Sequence, residues 1–148
     1  MNFSSVLKLM KQRYGADGEY LWDEYPNFTV FRHAGGQRKW FALLMRGLAN
    51  EKLGRALPGS SDVINLKVSP DLAAILRDEK GIFAAYHMNK KHWISVCLDA
   101  VPREQIEDLI EHSRGAYEVE FARGLGLNLR AKEAKFEPRA QILAAREA

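Results

Sequence analysis

Two apolar runs flank a glycine pair: Asn27 to His33 (N-F-T-V-F-R-H), the turn Ala34-Gly35-Gly36-Gln37-Arg38, and Lys39 to Gly47 (K-W-F-A-L-L-M-R-G). Aromatic and β-branched residues on both sides of a short turn predict an antiparallel hairpin. Strand periodicity puts Phe28, Val30 and Arg32 on one face and Thr29, Phe31 and His33 on the other. On the return strand, Trp40, Ala42 and Leu44 oppose Phe41, Leu43 and Met45. Both faces are apolar. A sheet built on this hairpin must be covered on two sides, or show aromatic surface to a partner. The expected cover is a second layer from the C-terminal tail or from a dimer mate.

The rest of the chain supplies the other layer. Phe3, Val6, Leu7, Met10 and Tyr14 recur at helical spacing, and Gly15 is placed to end that helix. The aromatic and acidic text from Gly18 to Pro26 reads as a connection covering an edge of the core, with room for a short strand. Residues 48–61 read as a loop. Asp62 to Val68 predicts a third strand, with Ile64, Leu66 and Val68 inward and Val63, Asn65 and Lys67 outward. Ser69-Pro70-Asp71 combines an N-cap, a first-turn proline and a first-turn acid, so a helix starts there and runs to Gly81.

Ile82 to Met88 predicts a fourth strand, Asn89 to Lys91 a turn, and His92 to Leu98 a fifth strand. On the fifth strand, Ile94, Val96 and Leu98 point one way and Trp93, Ser95, Cys97 and Asp99 the other. Pro102 opens a last helix that reaches Gly115. The order α-β-β-β-α-β-β-α predicts an α+β fold of two layers, an antiparallel sheet with helices packed on one face. Residues 1–115 form the predicted domain, and 116–148 a helical or partly ordered extension.

Composition narrows the function. The chain of 148 residues has a formal net charge of +3. That permits a polyanionic partner without demanding one. Cys97 is the only cysteine, which excludes an internal disulfide and a multi-thiolate zinc site, and its apolar strand makes it a packing residue. No apolar run approaches the roughly 18 residues of a membrane span, and the first residues lack the pattern of a signal peptide. A cytoplasmic location is expected.

Chemistry-bearing motifs are sparse. His33, His87, His92 and His112 would start any catalytic reading. His87 and His92 flank one turn, but no carboxylate joins them, and neither H-x-x-x-H nor a Cys/His cluster occurs. No catalytic residue, metal or cofactor is expected. A small-molecule site lined by Tyr86, His87 and Trp93 would require a concave pocket there.

Basic residues gather instead at the hairpins. Arg32, Arg38 and Lys39 surround the first turn, Lys67 lies on the third strand, and Lys90-Lys91 occupy the second turn. With His87, Asn89 and Trp93 shaping the surface, two basic tips could straddle a phosphate backbone. The alternative is a protein-interaction or chaperone-like module, forming a dimer or partner surface through its sheet or its C-terminal extension.

Several stretches together resemble the MmcQ/YjbR family of small bacterial proteins. They are Tyr14-Gly15, Trp22-Asp23-x-Tyr25-Pro26, Val30-Phe31-Arg32-His33, Lys39-Trp40-Phe41-Ala42-Leu43 and Asp62-Val63-Ile64-Asn65-Leu66-Lys67. Gly81-Ile82 and Ala85-Tyr86-His87-Met88-Asn89-Lys90-x-His92-Trp93-Ile94 follow, then Pro102 and the last helix. The resemblance covers about residues 3 to 115. It implies a fold like that of type III secretion chaperones and a DNA-binding module with a "double wing" of two hairpins. Residues 116–148 go beyond the family pattern.

Overall fold

Asn2 starts the first helix. Its side chain accepts the Ser5 N–H at 2.9 Å while the Ser5 hydroxyl accepts the Asn2 N–H at 2.8 Å, a reciprocal cap that opens α1 (Phe3–Tyr14). Gly15 ends it in the left-handed conformation, φ 61°, with its N–H donating to the Lys11 carbonyl. The computed structural model describes residues 1–35 and 37–124, with side chains through Gly115. Its elements after α1 are β1 (Phe28–Arg32), β2 (Trp40–Ala49), α2 (Asn50–Leu53), β3 (Ser60–Lys67), α3 (Pro70–Leu76), β4 (Ile82–Ala84), β5 (Trp93–Cys97) and α4 (Arg103–Gly124).

The strands form one antiparallel sheet in the order β1-β2-β3-β5-β4, and the fold is α+β. Several boundaries differ from expectation, and helix α3 ends at Leu76, well before Gly81. A single turn of helix, α2, lies inside the predicted 48–61 loop. Strand β3 begins at Ser60, two residues early. Strand β4 stops at Ala84, so Tyr86 to Met88 belong to the turn. Helix α4 continues through Gly115 to Gly124 with no break at the expected domain boundary. Residues 125–148, most of the expected extension, lie outside the described residues.

One face of the sheet carries Phe31, Phe41, Leu44, Ile64, Leu66, Ile94 and Val96 against Val6, Met10, Leu76, Ile106, Leu109 and Ile110 of α1, α3 and α4. Each such fully buried side chain contributes on the order of 1.5–3 kcal/mol. Val30, Leu43, Met45, Val63 and Cys97 line the opposite face, and they too are buried. Trp22, Phe28, Leu53, Tyr86 and Met88 pack over them. The second layer expected from the tail or a dimer mate is thus supplied by the 18–28 connection, α2 and the β4–β5 turn. Val63 and Asn65, expected to face outward, are both 0% exposed.

A bulge corrects the first hairpin. Phe31 pairs with Ala42 but Arg32 pairs with Trp40, which leaves Phe41 as the extra residue on β2. Alternation breaks there. Trp40 moves to the second face beside Trp22, ring centroids 5.6 Å apart. Phe41 moves to the helix face, where it meets Tyr14, Phe31 and His33 at 6.1, 6.4 and 5.2 Å. The Ser113 hydroxyl of α4 donates to the bulged Phe41 carbonyl at 2.6 Å and accepts the Lys67 N–H at 2.9 Å.

Candidate functional site

Register decides where the basic residues go. Arg32 pairs with Trp40, Ala42 with Leu66, Lys67 with Trp93 and Ala84 with Ile94. The β1–β2 turn, the C-terminal end of β3 and the β4–β5 turn therefore all leave the same end of the sheet. Three interstrand spacings of about 4.8 Å separate the two turns, roughly 14 Å before twist. Arg38, Lys39, Lys90 and Lys91 are exposed at this end, and Lys67 and Trp93 are half-buried neighbours beside them. Asp71, just past the Ser69 cap of α3, is an exposed acid on the segment leaving β3.

The second turn is pinned from below. Asn65 and Ser95 face each other across β3 and β5, both fully buried on the second face. The Asn65 amide donates to the Tyr86 carbonyl at 2.9 Å, and the Tyr86 N–H donates to the Ser95 hydroxyl at 2.9 Å. The Ser95 hydroxyl in turn donates to the side-chain amide oxygen Oδ1 of Asn65. The backbone of Tyr86 is fixed through both of its polar groups. Further along, the Asn89 side chain accepts the Lys91 N–H at 2.8 Å and its carbonyl accepts the N–H groups of His92 and Trp93. Lys90 extends its ammonium to the Ala85 carbonyl at 3.1 Å. Asn89 thus shapes the turn from within, while His87 and Lys91 project from it.

The first turn is held differently. Arg32 lies at its base, with Nε donating to Glu19 at 2.6 Å and Nη1 to the Arg38 carbonyl at 3.2 Å. Its guanidinium also sits 5.9 Å from the Trp40 ring centroid. Arg32, one of the predicted contact residues, is thus committed to an acid. Glu19 reaches this place because its N–H and carbonyl bridge to Val30, at 2.9 and 2.8 Å, which caps the outer edge of β1. Gly18 is required for that approach, since a Cβ there would lie 2.3 Å from the Thr29 methyl.

Asn65, Ser95, Glu19 and Ser113 were not among the predicted site residues. Their one signal was Asn65 itself, a polar residue at mid-strand in a sheet apolar on both faces. Such a residue is buried and needs partners.

The histidines do not assemble. His33 is buried against Phe41, His87 and His92 are exposed on the second turn, and His112 is half-buried on α4. Among the described residues no group of three or more His, Cys, Asp or Glu side chains is placed to hold a metal. Burial pushes the Cys97 thiol up, away from the reactive thiolate. A cleft of about 250 Å³ lies on the second face, lined by Tyr25, Phe28, Leu48, Lys52 and Tyr86 among others, but by neither His87 nor Trp93. At the opposite end of the sheet Arg55 donates to Asp99 at 3.0 Å and to Ser61 at 2.7 Å, tying the segment after α2 to the end of β5. Among the described residues no helix is long and apolar enough to cross a membrane.

A two-layer α+β domain with a five-stranded antiparallel sheet and a buried Asn–Ser pair under one turn is the class that fold and site define. Comparison with known proteins gives it a family. The YjbR family model matches residues 11–116, and the chain belongs to the YjbR family. YyaQ of Bacillus subtilis is 40% identical over 109 residues, 73% of this chain and 91% of that protein. The crystal structure of a Pseudomonas syringae protein is 40% identical with a TM-score of 0.72, covering 76% of this chain and 96% of that one. A Deinococcus radiodurans structure of a DUF419 domain, 23% identical with a TM-score of 0.54 over 84% of this chain and 88% of its own, shares the fold alone. None of the three is named for an enzymatic activity.

Proposed function

We propose that this YjbR-family protein is a DNA-contacting module that meets the duplex with the turn end of its sheet. One observation carries the reading: the antiparallel register gathers both basic turns and Lys67 at a single end. Arg38, Lys39, Lys67, Lys90 and Lys91 supply the positive charge there, while Glu19 neutralises Arg32. The two turns, roughly 14 Å apart, match the scale of a B-DNA major groove of about 12 Å, so each tip meets one phosphate strand. Affinity then comes from counterion release, independent of sequence.

A labelled duplex titrated at low and moderate salt tests the reading, with wild type and a Lys39→Ala/Lys91→Ala double variant. Removing two phosphate contacts is expected to weaken low-salt binding by about tenfold and to flatten the log K against log salt slope by about 1.8. A single strand of the same sequence should compete poorly. Absence of binding at low salt, or an unchanged slope in the double variant, overturns the proposal.

From sequence, the protein-interaction alternative is expected to use the sheet or the C-terminal extension. Both sheet faces are covered, so among the described residues it rests instead on the connection before β1. Tyr20, Leu21 and Tyr25 are 56%, 44% and 46% exposed on the connection before β1. Sedimentation of the full chain beside a Tyr20→Ser/Leu21→Ser/Tyr25→Ser variant tests it. A self-association lost in the variant supports this reading, and two identical monomers remove self-association through this surface.

A further inference from the structure

Where the backbone turns left-handed, this chain mostly uses glycine. Gly15, Gly47, Gly54, Gly59 and Gly81 all have positive φ. Among the described residues only two others do: Arg38 at φ 50° and His87 at φ 59°. One lies in each turn of the candidate interface. Residues with a Cβ are strained in this conformation, and glycine would relieve it. Such strain persists only where the surroundings over-determine it.

The surroundings of His87 do so. Tyr86 before it is fixed through N–H and carbonyl by Ser95 and Asn65, and Asn89 after it closes the next turn. The His87 ring rests 4.0 Å from the Tyr86 ring and is exposed. Arg38 is held through its backbone, its N–H donating to the Gly35 carbonyl at 3.2 Å and its carbonyl accepting from Arg32. Among the described residues neither the Arg38 guanidinium nor the His87 ring makes a hydrogen bond or an ion pair. Both strained residues carry nitrogen donors suited to phosphate oxygens, and both stand at the same end of the sheet.

We propose that Arg38 and His87 are the two gripping side chains of the interface, one per turn, and that their left-handed backbones aim them at the phosphates. This rests on the DNA reading above and sharpens it. Arg38 gives a forked, bidentate contact, and His87 donates a ring N–H to the facing strand. Asn65 and Ser95 act only through Tyr86, as positioning residues for His87.

The test pairs affinity with stability in Arg38→Gly, His87→Gly, Arg38→Asn and His87→Asn. Glycine and asparagine both tolerate the left-handed conformation, so every variant should fold with a melting temperature equal to wild type or higher by up to about 4 °C. Each should bind labelled duplex about fivefold to tenfold more weakly at low salt. Weaker binding at undiminished stability supports the inference. Wild-type affinity in all four variants, with the Lys39→Ala/Lys91→Ala protein weakened, overturns it and leaves the DNA reading standing. A fall in melting temperature in the glycine variants also overturns it, since the two residues then serve the fold. No binding by wild type removes both.

Discussion

The β1–β2 turn and the β4–β5 turn leave the same end of one sheet with similar charge, yet they are supported by opposite means. Beneath the first lies aromatic packing: the bulged Phe41 sits among Tyr14, Phe31 and His33, with the Arg114 guanidinium 5.8 Å from its ring. Its polar support, Arg32 with Glu19, is partly open to solvent at 29% and 37% side-chain exposure. Beneath the second lies a buried polar triangle of Asn65, Ser95 and the Tyr86 backbone. Both turns have hydrogen-bonded backbones, but only the second is held by fully buried side chains, whose bonds are costly to break. The difference teaches that the second turn is the more sharply specified of the two, although the sequence makes them look alike.

Four substitutions can break or sharpen that contrast. Phe41→Ala should cost about 3–5 kcal/mol in urea unfolding, because it removes a 1% exposed ring from the centre of the helix-side core. A cost under about 1 kcal/mol would mean that the bulge collapses to fill the space. Asn65→Ala comes next, at about 2–3 kcal/mol, because the Tyr86 carbonyl and the Ser95 hydroxyl lose their buried partner. Amide exchange at the Tyr86 N–H should accelerate in that variant while exchange at the His33 N–H stays slow. Equal acceleration of both would show that the two turns are not independently supported.

Alkaline pH should reach the first turn through Tyr14, beside a separate contribution of the same sign from the buried Cys97 thiol on β5. Burial, then the hydrogen bond to Glu111 at 2.6 Å and the charge of that carboxylate, push the Tyr14 hydroxyl well above its ordinary value near 10. Above that value the unfolded chain gives up a proton that the folded chain keeps. Stability therefore falls as pH rises past about 10, by at most about 1.4 kcal/mol per pH unit. Tyr14→Phe should remove that part of the slope in unfolding midpoints measured from pH 8 to 11, and an identical profile in the variant would refute the assignment. Glu19→Gln is the smallest effect. Loss of a partly exposed ion pair should cost no more than about 1 kcal/mol and should fade in high salt. A cost that persists in molar salt would mark the Glu19 backbone bridge, not its charge, as the support.

Much of the fold was readable in advance. The Gly15 stop, the Ser69-Pro70 start of α3 and the presence of strands on both sides of each turn, though not the end of β4, stand where local chemistry puts them. The YjbR resemblance, carried by short motifs, is confirmed by the family match over residues 11–116. The site was legible as a set of basic residues but not as an arrangement. Arg32 looked like a free phosphate contact until Glu19, 13 positions earlier, was seen beside it. Trp40 and Phe41 were assigned to the wrong faces because one extra residue in β2 reverses alternation, and a bulge leaves no mark on composition.

What the chain determined by itself is local. Caps, helix stops, strand propensity and the basic content of the turns depend on neighbours within a few residues, and those neighbours are written in order. What only the tertiary structure decided depends on segments far apart in sequence. The connection before β1 reaches over the second face, Asn65 closes on Tyr86 across the sheet, and register brings two distant turns to one end. Burial and register are properties of the assembled sheet, because they depend on which strand lies beside which. For that reason a pair of ordinary hairpins in the sequence becomes a single charged end in the fold.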